Sequence, residues 1–210
     1  MTSTNANMNI MKNFLIAIFA MATLAACENP VSKKIKETKQ NVSNTKEAFK
    51  ELNNMQEDMK ELQQETPLTN DQLKAWLPDE INGMKRTGYK AGQGSYMQIA
   101  MVEATYTSED NSKKFKVEVM DGAGEMGAAA TAGVRILFSQ DFEEEDQYKT
   151  RRTVKKNGVK AIEEYQKNNN KSEIQMFHDG RFFVRGVGTN MDVDETWDAI
   201  DELEMDDLSS

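Results

Sequence analysis

One cysteine, one histidine and three prolines in 210 residues exclude several classes of protein at the outset. A single thiol, Cys27, cannot close a disulfide within the chain, so stability must come from a packed core. With only His178 and that cysteine available, the usual nitrogen and sulfur ligand sets for zinc are missing. Crossing a hydrocarbon core as a helix takes roughly 20 apolar residues. The apolar run from Phe14 to Ala26 has 13, which disfavours a permanent span. Basic residues are outnumbered 26 to 35, for a net charge of −9, and no nucleic-acid partner is expected, because neutralising phosphates needs clustered Lys and Arg. An acidic chain is also expected to be repelled by anionic headgroups.

What is present begins at the N-terminus. Lys12 supplies a positive charge, the short apolar run follows, and Leu24, Ala25 and Ala26 bring small residues up to Cys27. The order Leu24-Ala25-Ala26-Cys27 resembles the lipobox of bacterial lipoproteins. That resemblance implies that the thiol of Cys27 carries diacylglycerol, that the chain is cut before it, and that the new terminus is acylated. Residues 1–26 then form a signal peptide and Cys27 is the lipidation site. The protein is expected in the cell envelope, lipid-anchored to a bacterial membrane, with the outer membrane facing the periplasm as the expected place. The residues by themselves leave open an ordinary secreted protein with a spare thiol, or an uncleaved apolar helix.

Residues 27–66 read as a polar tether followed by an amphipathic helical stalk. From Val31 to Glu65 there is no glycine, and Lys, Glu and Gln favour helix. Ile35, Val42 and Phe49 repeat every seven residues, as do Thr38, Thr45, Leu52 and Met59, while Met55 and Leu62 widen the apolar stripe. The pattern allows a spacer or a dimer through helix 31–65, or a helix folded back onto the following domain.

Residues 67–210 carry the signs of one α+β globular domain: an antiparallel sheet of about six or seven strands covered by helices and preceded by the long N-terminal helix. Thr69 with Gln72 and Asp192 with Glu195 have capping-box spacing at the starts of two helices. Phe115, Val117 and Val119 alternate with charged residues, the period of a half-buried strand. Asn157-Gly158 and Asp179-Gly180 mark hairpin turns, because both positions take positive φ. Between these runs lies a Gly/Ala-rich stretch, residues 122–138, in which Gly124, Ala128 and Ala132 recur every four residues. It reads as a helix docked tightly on the sheet, or as the wall of a groove that could hold a small molecule or lipid.

Motifs that carry chemistry are few. Gly122, Gly124 and Gly127 have dinucleotide-fingerprint spacing, but the neighbouring hairpins are antiparallel and Glu125 sits where a pyrophosphate would lie. Asp192, Asp194 and Glu195 lack the glycine and distal glutamate of a calcium loop. His178 beside Asp179-Gly180 reads as an exposed turn-flanking residue rather than a general base. Six cations, Lys149, Arg151, Arg152, Lys155, Lys156 and Lys160, gather around the first hairpin. They read as a solvated strand face, an anionic-partner patch, or partners of the acidic C-terminus, where residues 190–210 hold nine carboxylates and no base.

From "LPDEINGMKRTGY" through "VDETWDAIDEL" the chain is similar to small bacterial exported proteins with the same succession of Leu-Pro, Gly/Ala helix and Asn-Gly and Asp-Gly hairpins, a resemblance that implies no activity. A more distant similarity to PsbP-type sandwiches concerns fold alone. No catalytic, metal or cofactor-binding residue is expected, and the chain is not expected to be an enzyme. The sequence points to a lipid-anchored module that binds an envelope protein or component, with a small-molecule or lipid carrier as the rival.

Overall fold

The computed structural model describes residues 53–92 and 99–208. Cys27, the expected signal peptide and most of the expected stalk lie outside the described residues. A compact unit begins at Asn53.

Among the described residues nine strands form one antiparallel sheet: β1 Glu80–Ile81, β2 Met84–Ala91, β3 Met101–Thr107, β4 Lys114–Asp121, β5 Glu143–Glu145, β6 Lys149–Lys156, β7 Val159–Gln166, β8 Lys171–His178 and β9 Phe182–Thr189. Helices α1 Asn70–Trp76, α2 Gly124–Phe138 and α3 Val193–Asp201 accompany it, with a 3-10 turn at Met205–Leu208. The spatial order is β1-β2-β3-β4-β9-β8-β7-β6-β5. Two meanders therefore meet where β4 pairs with β9, and α2 carries the chain from one to the other.

This corrects the expected fold of six or seven strands behind a long N-terminal helix. The added strands are the sheet's two edges, two and three residues long. Their sequences, Glu-Ile and Glu-Glu-Glu, offer neither the alternation nor the β-branched content that marks a strand. Of the helix, the described part covers residues 53–64 only. Leu62 is 6% exposed there, and Glu65 bonds Arg181 at 2.9 Å, so its C-terminal end packs on the domain.

Alternation gives the sheet an inner and an outer face. The inner face carries Tyr106, Phe115, Val117, Ile174, Phe182 and Val184, all essentially inaccessible, and α1, α3 and the residues just after α3 cover it with Leu73, Trp197, Ile200 and Leu203. Glycine admits α3: a Cβ on Gly186 would stand 2.8 Å from Ile200 Cδ1, and one on Gly188 would stand 2.7 Å from Met191 Cβ. Both helices start with the capping boxes read from sequence, Thr69–Gln72 and Asp192–Glu195. The hairpin turns have the required backbone, with φ of +52° and +85° at Asn157 and Gly158, and +48° and +64° at Asp179 and Gly180.

A buried polar strut joins three segments distant in sequence. Asp121, fully buried at the end of β4, accepts hydrogen bonds from Leu68 N at 2.8 Å, Ala123 N at 2.9 Å, and Arg181 Nε and Nη2 at 2.7 and 2.8 Å. Pairing with Asp121 raises the guanidinium pKa of Arg181. Every strong acceptor direction of the carboxylate is used, as a buried charge requires.

Candidate docking surface

The outer face is covered differently along its length. At one end Met101, Met120, Phe183 and Phe177 lie in register across β3, β4, β9 and β8. Helix α2 packs there, with Phe138 edge-on to Phe177 at 5.4 Å and the Arg135 guanidinium 4.3 Å from the Phe177 ring centroid. Burial lowers the pKa of Arg135, whose Nε and Nη2 have no hydrogen-bond partner among the described residues. The small residues of α2 serve close backbone approach, since a Cβ on Gly127 would stand 2.6 Å from the Asp121 carbonyl oxygen. Gly122 is as tightly placed, 2.7 Å from the Arg181 carbonyl oxygen by the same construction.

Beyond the Phe177 end the outer face carries mainly charged and polar side chains, with Val187 and Ile162 as buried apolar positions among them. One register row runs Lys90, Glu103, Glu118, Arg185, Gln175 and Ile162 from β2 to β7. The next runs Thr105, Lys116, Val187, Glu173, Glu164 and Arg151 from β3 to β6. These rows neutralise themselves. Glu103 lies 2.5 Å from Lys116 and 3.6 Å from Lys90. The bond from Lys116, together with both positive charges, holds the Glu103 carboxyl below its ordinary pKa despite partial burial.

Arg185 clamps Glu173 through two bonds of 2.7 and 2.8 Å and reaches Glu118 at 3.4 Å. Burial works against ionisation of Glu173, but bonds from Arg185 and from Gln175 at 2.6 Å outweigh it and lower its pKa. The two-pronged geometry gives direction as well as energy.

A third row differs. Lys85, Thr107, Lys114, Thr189, Lys171, Gln166 and Lys149 lie in register from β2 to β6, a lysine on every second strand. Lys149 stands 3.8 Å from Glu164. No carboxylate is within ion-pair distance of Lys85, Lys114 or Lys171 among the described residues. Glu80 sits opposite Lys85 on β1. In the adjoining β3–β4 turn, Asp110 is engaged by Ser108 and Ser112, whose donors pull its pKa down to about 2.

The hairpin cations singled out in the sequence are dispersed by the pleat. Lys160 pairs with Asp141 at 2.7 Å, Arg152 with Glu163 at 2.9 Å, and Lys156 with Asp201 of the C-terminal acidic segment at 3.4 Å. Glu163, nearly buried, also accepts from Trp197 Nε1 at 2.8 Å. His178 is 9% exposed rather than an exposed turn residue, because it is the last inward position of β8. Its Nε2 lies 3.4 Å from a carboxylate oxygen of both Asp179 and Asp206. No group of three or more His, Cys, Asp or Glu among the described residues is placed to hold a metal ion.

Sequence reading missed the lysine row. Its members are separated by as many as 86 positions, and only the strand registers align them. The shallow depressions among the described residues include one of about 320 Å³ beside Pro67–Asn70 and Ile99 and one of about 540 Å³ beside Phe142 and Val154. No helix among the described residues is long and apolar enough to cross a membrane.

No protein-family model matches the chain, and no curated protein matches it. Among solved structures, a GTP binding regulator from Thermotoga maritima is similar over 57% of this chain and 76% of its own, at 12% identity and a TM-score of 0.26. A likeness that distant bears on neither fold nor activity.

Proposed function

We propose that this protein is a lipid-anchored interaction module of the bacterial cell envelope, held to its membrane through Cys27 and working by binding rather than by covalent chemistry. The observation that carries the reading is the order Lys12, a 13-residue apolar run, and Leu24-Ala25-Ala26-Cys27. A run of that length suits a signal peptide, and the single cysteine follows directly on the small residues that a peptidase needs. Several acyl chains on one thiol and one amine anchor durably where a single chain does not.

The outer sheet face supports the binding half of the reading. Two of the charged rows on the outer face of the nine-stranded sheet are fixed by ion pairs. Preorganised side chains lose little conformational freedom when a partner arrives.

The test is metabolic labelling with an alkyne-bearing palmitate in a bacterium that expresses the full chain. The wild-type protein should take up label and fractionate with membranes. Cys27→Ser should lose both, while Ser32→Cys introduced into that variant should restore neither. Unchanged labelling of Cys27→Ser would refute the anchor.

A further inference from the structure

The lysine row identifies what the outer face meets. We propose that this face rests on an anionic lipid surface, with Lys85, Lys114, Lys171 and Lys149 turned toward the headgroup phosphates. The inference deepens the proposed anchoring and rests on it for the choice of a membrane as the partner surface.

Composition alone argues for repulsion, since the chain carries a net −9. The fold separates the charge. Nine carboxylates and no base lie in residues 190–210, and α3 and the Met205–Leu208 turn within that segment pack over the inner face. The opposite face ends in a row of four lysines against one in-register carboxylate, Glu80. The long-range field repels a like-charged surface, but that field decays over a Debye length of roughly 8 Å in physiological salt. The nearest charges then decide the orientation.

Geometry favours a planar partner. Strands stand about 4.8 Å apart, so lysines on alternate strands repeat about every 10 Å along a line of roughly 30 Å. The positions between them hold Thr107, Thr189 and Gln166, which add no charge. An enclosed anion would need converging donors, whereas this row is open and spread across the sheet. The division of cation types agrees: Arg185 and Arg151 are within ion-pair distance of carboxylates of the face, as Lys149 is at the end of the row, and the row's cations with no such partner among the described residues, Lys85, Lys114 and Lys171, are all lysines. A flexible ammonium suits a fluid phosphate layer, while a guanidinium suits fixed bidentate pairing.

Cys27 lies 26 positions before Asn53, where the compact unit begins. An acylated Cys27 would hold the domain within reach of the surface, so the row needs only weak affinity to select one orientation. Each lysine near an anionic bilayer strengthens binding about fivefold.

The test uses the chain from residue 27 with Cys27→Ser, which carries no lipid and so reads the face independently of acylation. It is sedimented with phosphatidylcholine vesicles, with and without phosphatidylglycerol, at low and physiological salt. Binding should require phosphatidylglycerol and weaken with salt. Lys114→Gln with Lys171→Gln should weaken it by about 25-fold. Lys60→Gln with Lys74→Gln, which changes net charge equally at exposed positions off the row, should weaken it by less than about twofold. No binding to the anionic vesicles, equal binding to both kinds, or equal losses in the two double variants would overturn the proposal.

Discussion

Removing the carboxylate of Asp121 should destabilise the domain more than any surface change, and the structure sets the size. Asp121→Ala leaves Arg181 without its buried counterion and the N–H groups of Leu68 and Ala123 without an acceptor. Breaking a buried ion pair from one side costs about 3–5 kcal/mol. Arg181 keeps Glu65 at 2.9 Å and its side chain is 22% exposed, which places the loss near the lower end, about 3 kcal/mol. For a domain of this size that is a fall in Tm of roughly 6–12 °C. Urea unfolding followed by fluorescence of Trp76 and Trp197 measures it. Asp121→Leu combined with Arg181→Met removes both charges and should recover much of the loss, because no buried charge is left alone. A single-variant loss under about 1 kcal/mol, or a double variant no more stable than Asp121→Ala, would refute the role of this strut.

Further outcomes follow from other contacts. Gly188→Ala should cost about 1–3 kcal/mol through overpacking, since the new Cβ would press on Met191, Ser172 and Thr196; a neutral effect on the urea midpoint would mean that α3 sits farther from the sheet. Trp197→Phe keeps an aromatic side chain but removes the indole N–H and leaves Glu163 with Arg152 as its remaining bonded partner, for an expected loss of about 1–3 kcal/mol in the same assay. Glu103 and Glu173 are held below the ordinary glutamate pKa of 4.5, so the unfolded chain takes up protons first as pH falls. Their stabilisation is complete above that value and is lost as pH drops through the lower folded values. The urea midpoint should fall with acidification below about pH 4.5, and Glu173→Gln should flatten part of that fall.

Local chemistry was readable in the sequence where it governs local structure. The alternation at Phe115, Val117 and Val119 marks β4, and Asn157-Gly158 and Asp179-Gly180 place two turns, because period and backbone sterics act over a few residues. Edge strands were not readable. Glu143–Glu145 pairs with β6 only because the strand after it folds back alongside, and nothing in three glutamates favours extension. Burial of His178 likewise depends on the last segment of the chain crossing the inner face.

The candidate surface follows the same division. Each lysine of the row is visible in sequence, but their alignment is a product of six strand registers, among them the β4–β9 closure that joins residues about 70 positions apart. The Asp121–Arg181 strut spans 60 positions and was invisible for the same reason. In contrast, Leu24-Ala25-Ala26-Cys27 is contiguous, so the proposal for that end rests on sequence alone.

Intact-mass analysis of the protein extracted in detergent from its own bacterial membrane tests the anchor most directly. The account predicts a polypeptide that starts at Cys27, heavier than residues 27–210 by a diacylglyceryl thioether and an N-terminal acyl group. A mature chain that starts at another residue, or one that starts at Cys27 with an unmodified thiol, would contradict it.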